Sequence, residues 1–259
     1  MKKNKLLKMI SILGISVLAM GMFTGCGADK EASTKPQESK VIVMGTNAEF
    51  KPFEYREGTE IVGFDIEISK AIAKKLGKEL VIEDMAFGSL ISALNNDKID
   101  FIAAGMTVDD EKIKQVDFSQ TYFHTKQVII VKEENNDVAT VEDLVGKKVG
   151  VQLATTGDTA VSKTKGVEVV RVNKGAQAVM DLQNGKVDAV VIDAEPAKEF
   201  IKGQDGLKIL DAPFVEEEYA IAVKKGDSEL LEAINETFDE LKESGEYDKI
   251  YAQFFDDIE

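Results

Sequence analysis

The chain has 259 residues, 47 of them Asp or Glu and 32 Lys or Arg, with 44% hydrophobic residues, one cysteine and no tryptophan. That is the composition of a globular protein with room for one or two real cores, which excludes a disordered or collagen-like chain. One cysteine excludes an intrachain disulfide, and a formal charge of −15 without a basic patch argues against nucleic acid as a partner.

The first 25 residues hold Lys2, Lys3, Lys5 and Lys8 and no acid. Residues 9–23 follow as an uncharged run, long enough for a signal-peptide core but short of the roughly 20 apolar residues that a spanning helix needs. The run ends in Phe23-Thr24-Gly25-Cys26, which resembles a bacterial lipobox, with Phe23 where Leu is usual. The resemblance implies removal of residues 1–25 and a diacylglycerol on Cys26, whose two chains suffice for stable anchoring. A plain signal peptide with an incidental cysteine is the alternative. Residues 26–40 lack apolar periodicity and are expected to be a flexible tether, so that the folded protein begins near Val41.

From there short apolar runs alternate with helical spacing. Residues 41–44, 79–82, 101–104, 128–131, 149–151, 167–170 and 189–192 read as buried strands. Ile66, Ile68, Ala71, Ile72 and Leu76 form one helical face ending at Gly77, and Ala178, Val179 and Leu182 another ending at Gly185. Leu230, Ile234, Phe238 and Leu241 line a helix near the end of the chain, and Tyr247, Ile250, Tyr251 and Phe254 the last one. Strand–helix–strand rhythm predicts an α/β protein, and its two sets, separated near His124 to Gln127, predict two lobes with a cleft between them.

The catalytic inventory is thin. His124 is the only histidine, so a multi-histidine metal site or a Ser-His-Asp triad has little to work with, and no metal or cofactor is expected. Neither phosphate-binding glycine motif occurs. The remaining chemistry suits a small zwitterion. Gln152-Leu153-Ala154-Thr155-Thr156-Gly157-Asp158 follows a strand and opens a helix, where hydroxyls and N–H groups favour a carboxylate. Asp193 sits at the carboxyl end of a strand and can pair with an ammonium. Phe50 and Phe87 lie in loops after strands, where either suits core as well as a ligand.

Six ordered blocks carry a family resemblance: Gly45 to Phe53, Gly63-Phe64-Asp65-Ile66, Ile99 to Thr107, Asp117-Phe118-Ser119, Gly150 to Gly157, and Gly245 to Tyr251. Through them residues 41–257 resemble the extracellular solute-binding proteins of family 3, the polar amino acid receptors of ABC importers. The resemblance implies a two-lobed, type II periplasmic-binding fold with a hinge and an interlobe cleft. Lobe 1 would combine 41–124 with 217–259, and lobe 2 would be 125–216. It implies Gly105 and Thr107 on the ligand backbone, Thr155 and Thr156 on its carboxylate, Asp193 on its ammonium, Phe50 and Phe87 over its side chain, and Asn47 and Glu49 near the side-chain end. Where the family usually carries Thr-x-x-Arg, with the Arg clamping the carboxylate, this chain has Asp109-Asp110-Glu111-Lys112: Asp109 can cap the short helix as Thr would, and Lys112 is a point charge without the planar fork.

The expected protein is therefore a monomeric, extracytoplasmic lipoprotein that binds a free polar amino acid, with a lean towards basic ones, and delivers it to a membrane permease. No catalysis is expected. Two alternatives stay open: a cyclohexadienyl dehydratase on the same fold, with Glu49 as general acid, and a sensor or adhesin acting through a partner chain.

Overall fold

The computed structural model describes residues 40–210 and 213–255, so the expected signal segment, Cys26 and the tether up to residue 39 lie outside it. β1 (Val41–Thr46) is followed by three short strands, β2 (Glu49–Phe50), β3 (Glu54–Glu57) and β4 (Glu60–Val62). α1 (Phe64–Lys75) carries Asp65 and Glu67 in its first turn and Lys74 and Lys75 in its last, complementing the helix dipole at both ends. β5 (Glu79–Asp84), α2 (Leu90–Asn95), β6 (Phe101–Ile102), β7 (Val116–Phe118) and the long β8 (Phe123–Lys132) come next. The second βα series is β9 (Lys148–Gln152), α3 (Thr156–Lys163), β10 (Glu168–Val172), α4 (Gly175–Gln183), β11 (Ala189–Asp193) and α5 (Ala194–Ile201). β12 (Leu207–Ile209), β13 (Val215–Tyr219), β14 (Ala222–Lys224), α6 (Ser228–Glu243) and α7 (Glu246–Phe255) finish the described chain.

These strands make two mixed sheets. The first runs β5-β1-β6-β14-β7 and the second β10-β9-β11-β8-β12, with β13 also paired to β8. β1 lies between parallel neighbours, as does β9, and β11 is sandwiched between β9 and β8, which is why these segments read as continuous apolar runs. The short strands β2, β3 and β4 form a separate antiparallel unit.

The chain passes from the first sheet to the second between Phe118 and Phe123 and returns between Tyr219 and Ala222. The two crossings are hydrogen-bonded to each other, with Ser119 N–H donating to Ile221 O at 2.9 Å and Tyr122 N–H to Tyr219 O at 2.9 Å. The expected lobe boundaries, after His124 and before Glu217, therefore fall inside two paired strands, β8 and β13. His124 itself is on β8 and not in a connecting segment. A continuous core containing Ile42 and Phe101 on one side and Ile130, Val190 and Ile192 on the other runs through the crossings by way of Phe53, Phe64, Phe123 and Tyr219. Tyr219 and Phe53, both 0% exposed, pack edge-on with ring centroids 5.1 Å apart.

Three expectations need correction. The strand expected over 101–104 stops at Ile102, because the backbone turns there to present Gly105 N–H to the buried Asp65 carboxylate at 2.9 Å. The strand expected from residue 167 begins at Glu168, opposite Lys148. The short helix that Asp109 is expected to cap is only a turn, although the cap bonds form: Asp109 Oδ1 accepts from Glu111 N–H at 2.9 Å and Lys112 N–H at 2.8 Å. Among the described residues no helix is long and apolar enough to cross a membrane.

Candidate functional site

The carboxyl ends of β1, β9 and β11 point at one cavity, at the position that open α/β sheets reserve for ligands. Nine of the ten residues placed at the ligand line it, Asn47, Phe50, Phe87, Gly105, Thr107, Lys112, Thr155, Thr156 and Asp193, and Glu49 does not. Three more belong to the lining that the sequence reading did not place there: Glu54, Ala104 and Gln152.

Gly105 has φ 50, and a Cβ there would come within 3.0 Å of the Phe50 ring, so glycine supplies both the left-handed turn and the room for the aromatic wall. Phe50 is buried and Phe87 packs on the separate cluster around Leu90 and Ile102, so each is at once core and cavity wall.

The two threonines divide their work. Thr155 is the N-cap of α3: its hydroxyl accepts from Asp158 N–H at 3.3 Å and donates to Gln152 O at 2.8 Å. Thr156 Oγ1 is buried without a hydrogen-bond partner, a polar atom held in reserve at a helix N-terminus. Asn47 is committed at both ends of its amide, donating to Met85 O at 3.0 Å and accepting from Gln152 Nε2 at 3.0 Å. It thereby ties the end of β1 to the end of β9 across the cavity. Outside the cavity, Lys51 Nζ meets Glu199 at 2.7 Å, and Lys174 pairs with Glu49. Glu49 is thus at this outer seam, engaged with a cation and not in the cavity lining, which removes it from the position of a general acid there.

Electrostatically the cavity is acidic. Asp193 is fully enclosed, accepts a hydrogen bond from the Tyr219 phenol, and is pushed up to about 6 by burial, against the pull of Tyr219, Gln127 and Lys112. Glu54 is 1% exposed, and neither of its oxygens makes a hydrogen bond of good geometry. Burial, and then the neighbouring charge of Asp65, hold its carboxyl well above the usual carboxylate range. Asp65, behind Glu54, is pushed to about 6 by burial, while Gly105 N–H and the Tyr122 phenol bond it. Lys112 is the one cation in the lining, 7% exposed and paired with Asp109. His124 is on the surface, with Nδ1 3.0 Å from Glu218, away from this cavity.

Residues 42–257 match the model of the bacterial extracellular solute-binding proteins, family 3. The chain belongs to that family. It is 37% identical to the arginine-binding extracellular protein ArtP of Bacillus subtilis over 238 residues, covering 90% of this chain and 92% of the relative. A probable histidine-binding protein of Neisseria gonorrhoeae is 35% identical over 251 residues, 94% of this chain and 93% of that one. Among solved structures, an ancestral arginine-binding protein bound to arginine superposes with a TM-score of 0.80 at 45% identity, covering 83% of this chain and 98% of that chain. This chain therefore has the two-lobed fold of the periplasmic amino-acid-binding proteins, and these family 3 relatives are binding proteins rather than enzymes.

Proposed function

We propose that this chain, a substrate-binding protein for amino acids, captures a basic amino acid, arginine foremost, between its two lobes. The observation that carries the basic side chain is Glu54: a second buried carboxyl group, with only the neighbouring Asp65 carboxyl to share a proton with, in the wall of a cavity that already contains Asp193. A buried acid left unpaired is costly, and a ligand that brings a cation to it recovers that cost. A basic amino acid has two cationic groups and one carboxylate. In this reading Asp193 and Thr107 take the α-ammonium; Thr156, the first N–H groups of α3 and Lys112 take the carboxylate; Phe50 and Phe87 flank the side chain; and Glu54 meets its charged end. The relatives named for binding arginine and histidine lean the same way.

Residues 41–124 with 217–259 act as one lobe and 125–216 as the other, opening about the paired crossings. Bridging contacts such as Asn47–Gln152 belong to the closed form, so a ligand that joins both lobes shifts the population towards it. The closed protein hands its cargo to the permease of an ABC importer. Cys26 bears the lipid that holds the protein at the outer face of the membrane, after a signal peptide of residues 1–25 is removed.

A thermal-shift screen of the twenty amino acids, with ornithine and cystine added, tests the ligand. Arginine should give the largest rise in Tm, and Asp193→Ala should abolish it. Stabilisation by neutral amino acids alone would overturn the basic assignment. For the anchor, Cys26→Ala should leave the detergent phase on partitioning, and retention there would refute the lipid.

A further inference from the structure

Glu217 is the middle of three consecutive acids on β13 and the one that is buried, 6% exposed, while Glu216 and Glu218 face solvent. It shares its face of the strand with Tyr219. Its Oε2 accepts from Thr107 Oγ1 at 2.6 Å and from Gln127 Nε2 at 3.3 Å, and its Oε1 has no partner among the described residues. The Gln127 amide is also within reach of Asp193, so the two carboxylates stand side by side on one bridging group. Glu217 is not part of the ligand cavity. It stands behind Thr107 and lines an open cavity on the far side, which shares Thr107 and Thr156 as a common wall.

A threonine hydroxyl has one proton. With Glu217 ionised, Thr107 donates to it and can offer the ligand cavity only a lone pair, the partner an ammonium N–H needs. With Glu217 protonated, the carboxyl donates to Thr107 and the hydroxyl proton turns into the cavity, donor against donor. We propose that Glu217 is a positioning residue that sets Thr107 as an acceptor for the ligand's ammonium group, and that ligand binding drives a proton off Glu217 into the open cavity behind it. The inference rests on the reading above, in which an amino acid places its ammonium on Asp193.

The ligand-free pair is poised for this. Burial first, and then the charge of Asp193, push Glu217 up to about 8, while burial pushes Asp193 to about 6. Two buried carboxyls side by side, both raised, favour keeping a proton on the pair, and the stronger upward push is on Glu217. An ammonium seated on Asp193 offsets the second of these causes, the Asp193 charge, and adds its own attraction for an ionised Glu217, so the proton passes to water or to a buffer base. Of the other charges around Glu217, Lys112, paired with Asp109, pulls towards ionisation. His124 and Lys126 on β8, Glu195 on α5, and Glu216 and Glu218 on the same strand line the outer cavity, and no hydrogen bond joins any of them to Glu217 among the described residues.

The test is calorimetric titration of L-arginine into the whole protein at about pH 7 in buffers of different ionisation enthalpy, which counts protons. The wild type should release roughly one proton per arginine more than Glu217→Gln, and its Kd should fall more steeply with pH between about pH 6 and 8, any proton that Glu54 gives up to the ligand's cation being common to both. Glu217→Gln should keep only the release that Glu54 contributes, with a correspondingly shallower dependence of Kd on pH. Arginine binding by the wild type with the same enthalpy in every buffer would overturn the inference and leave the ligand assignment standing. So would Glu217→Gln that releases the same proton. No heat from arginine at all would remove the ligand assignment and this inference with it. If the variant does not fold, Glu54→Gln, which removes that other contribution, should still release roughly one proton per arginine, and no release from it would overturn the inference.

Discussion

Gln152 Nε2 donates to Asn47 Oδ1 at 3.0 Å, joining the ends of β9 and β1 directly across the ligand cavity. Both groups are buried, so removing one leaves the other unsatisfied. Gln152→Ala should cost the closed form on the order of 1 kcal/mol, roughly a fivefold loss of affinity, appearing mainly as faster dissociation. Stopped-flow release of arginine measures it. An unchanged dissociation rate would show that the bond does not persist once ligand is in place.

Glu54→Gln separates charge from shape. If Glu54 meets the cationic end of the ligand, the amide should lose arginine by about 2–5 kcal/mol, thirtyfold or more in Kd, while glutamine, with no charge there, loses little. Calorimetry with both amino acids gives the ratio. Equal losses for the two would assign Glu54 to folding and not to selectivity.

Lys112 is paired with Asp109 and lines the cavity. Lys112→Ala should weaken arginine binding by about 1–3 kcal/mol if its ammonium also bonds the ligand carboxylate. Lys112→Arg should hold or tighten affinity, because a planar fork matches a carboxylate with two parallel bonds. Identical dissociation constants for the wild type and the alanine variant would leave Lys112 with Asp109 as its whole business.

Asp65 and Asp193 are pushed to about 6 and Glu217 to about 8 by burial. The same groups in the unfolded chain titrate near ~4. As pH rises the unfolded chain gives up these protons first, so the stability they lend is complete below about 4 and is lost as pH climbs through about 6 and then 8. The ligand-free protein should melt several degrees lower at about pH 8 than at about pH 5, since 1 kcal/mol moves Tm by about 2–4 °C at this size. The arginine-induced rise in Tm should run the other way and be larger at about pH 8. Scanning calorimetry decides, and a ligand-free Tm that climbs from about pH 5 to 8 would contradict the assignment.

The parts of the fold legible in the sequence are those with a strong period. β1, β9 and β11 have neighbours on both sides, and α1, α4, α6 and α7 each present an apolar stripe. β7, β12 and β14 have three residues each, too few to show alternation, and β13 hides behind three glutamates. Six of the nine cavity residues lie in the ordered motifs, while Asp193 follows from its place at the carboxyl end of a strand, Phe87 from its place just after one, and Lys112 from the position where the family usually carries Arg. Glu54 and Glu217 were not reached, because a lone acid beside other charged residues reads as solvated surface. A signal for Glu217 was nonetheless present: two residues on, Tyr219 is a large side chain on the same face of the strand, and a face that buries tyrosine buries its neighbour. For Glu54 no local signal exists, since its burial comes from Asp65 and Tyr122, distant in the chain and close in space.

β14 occupies the fourth place in the first sheet, between β6 and β7, although more than a hundred residues separate it from either. A nascent chain that has delivered everything up to β13 thus holds a finished second sheet and a first sheet split in two, with β7 lacking its partner strand. Assembly cannot be completed from the amino terminus onwards: the segment from Ala222 on must arrive and insert between edges already waiting. Until then those edges are open to pairing with another chain, and the interval between emergence of β7 and docking of β14 is when this protein most needs to be kept from its neighbours.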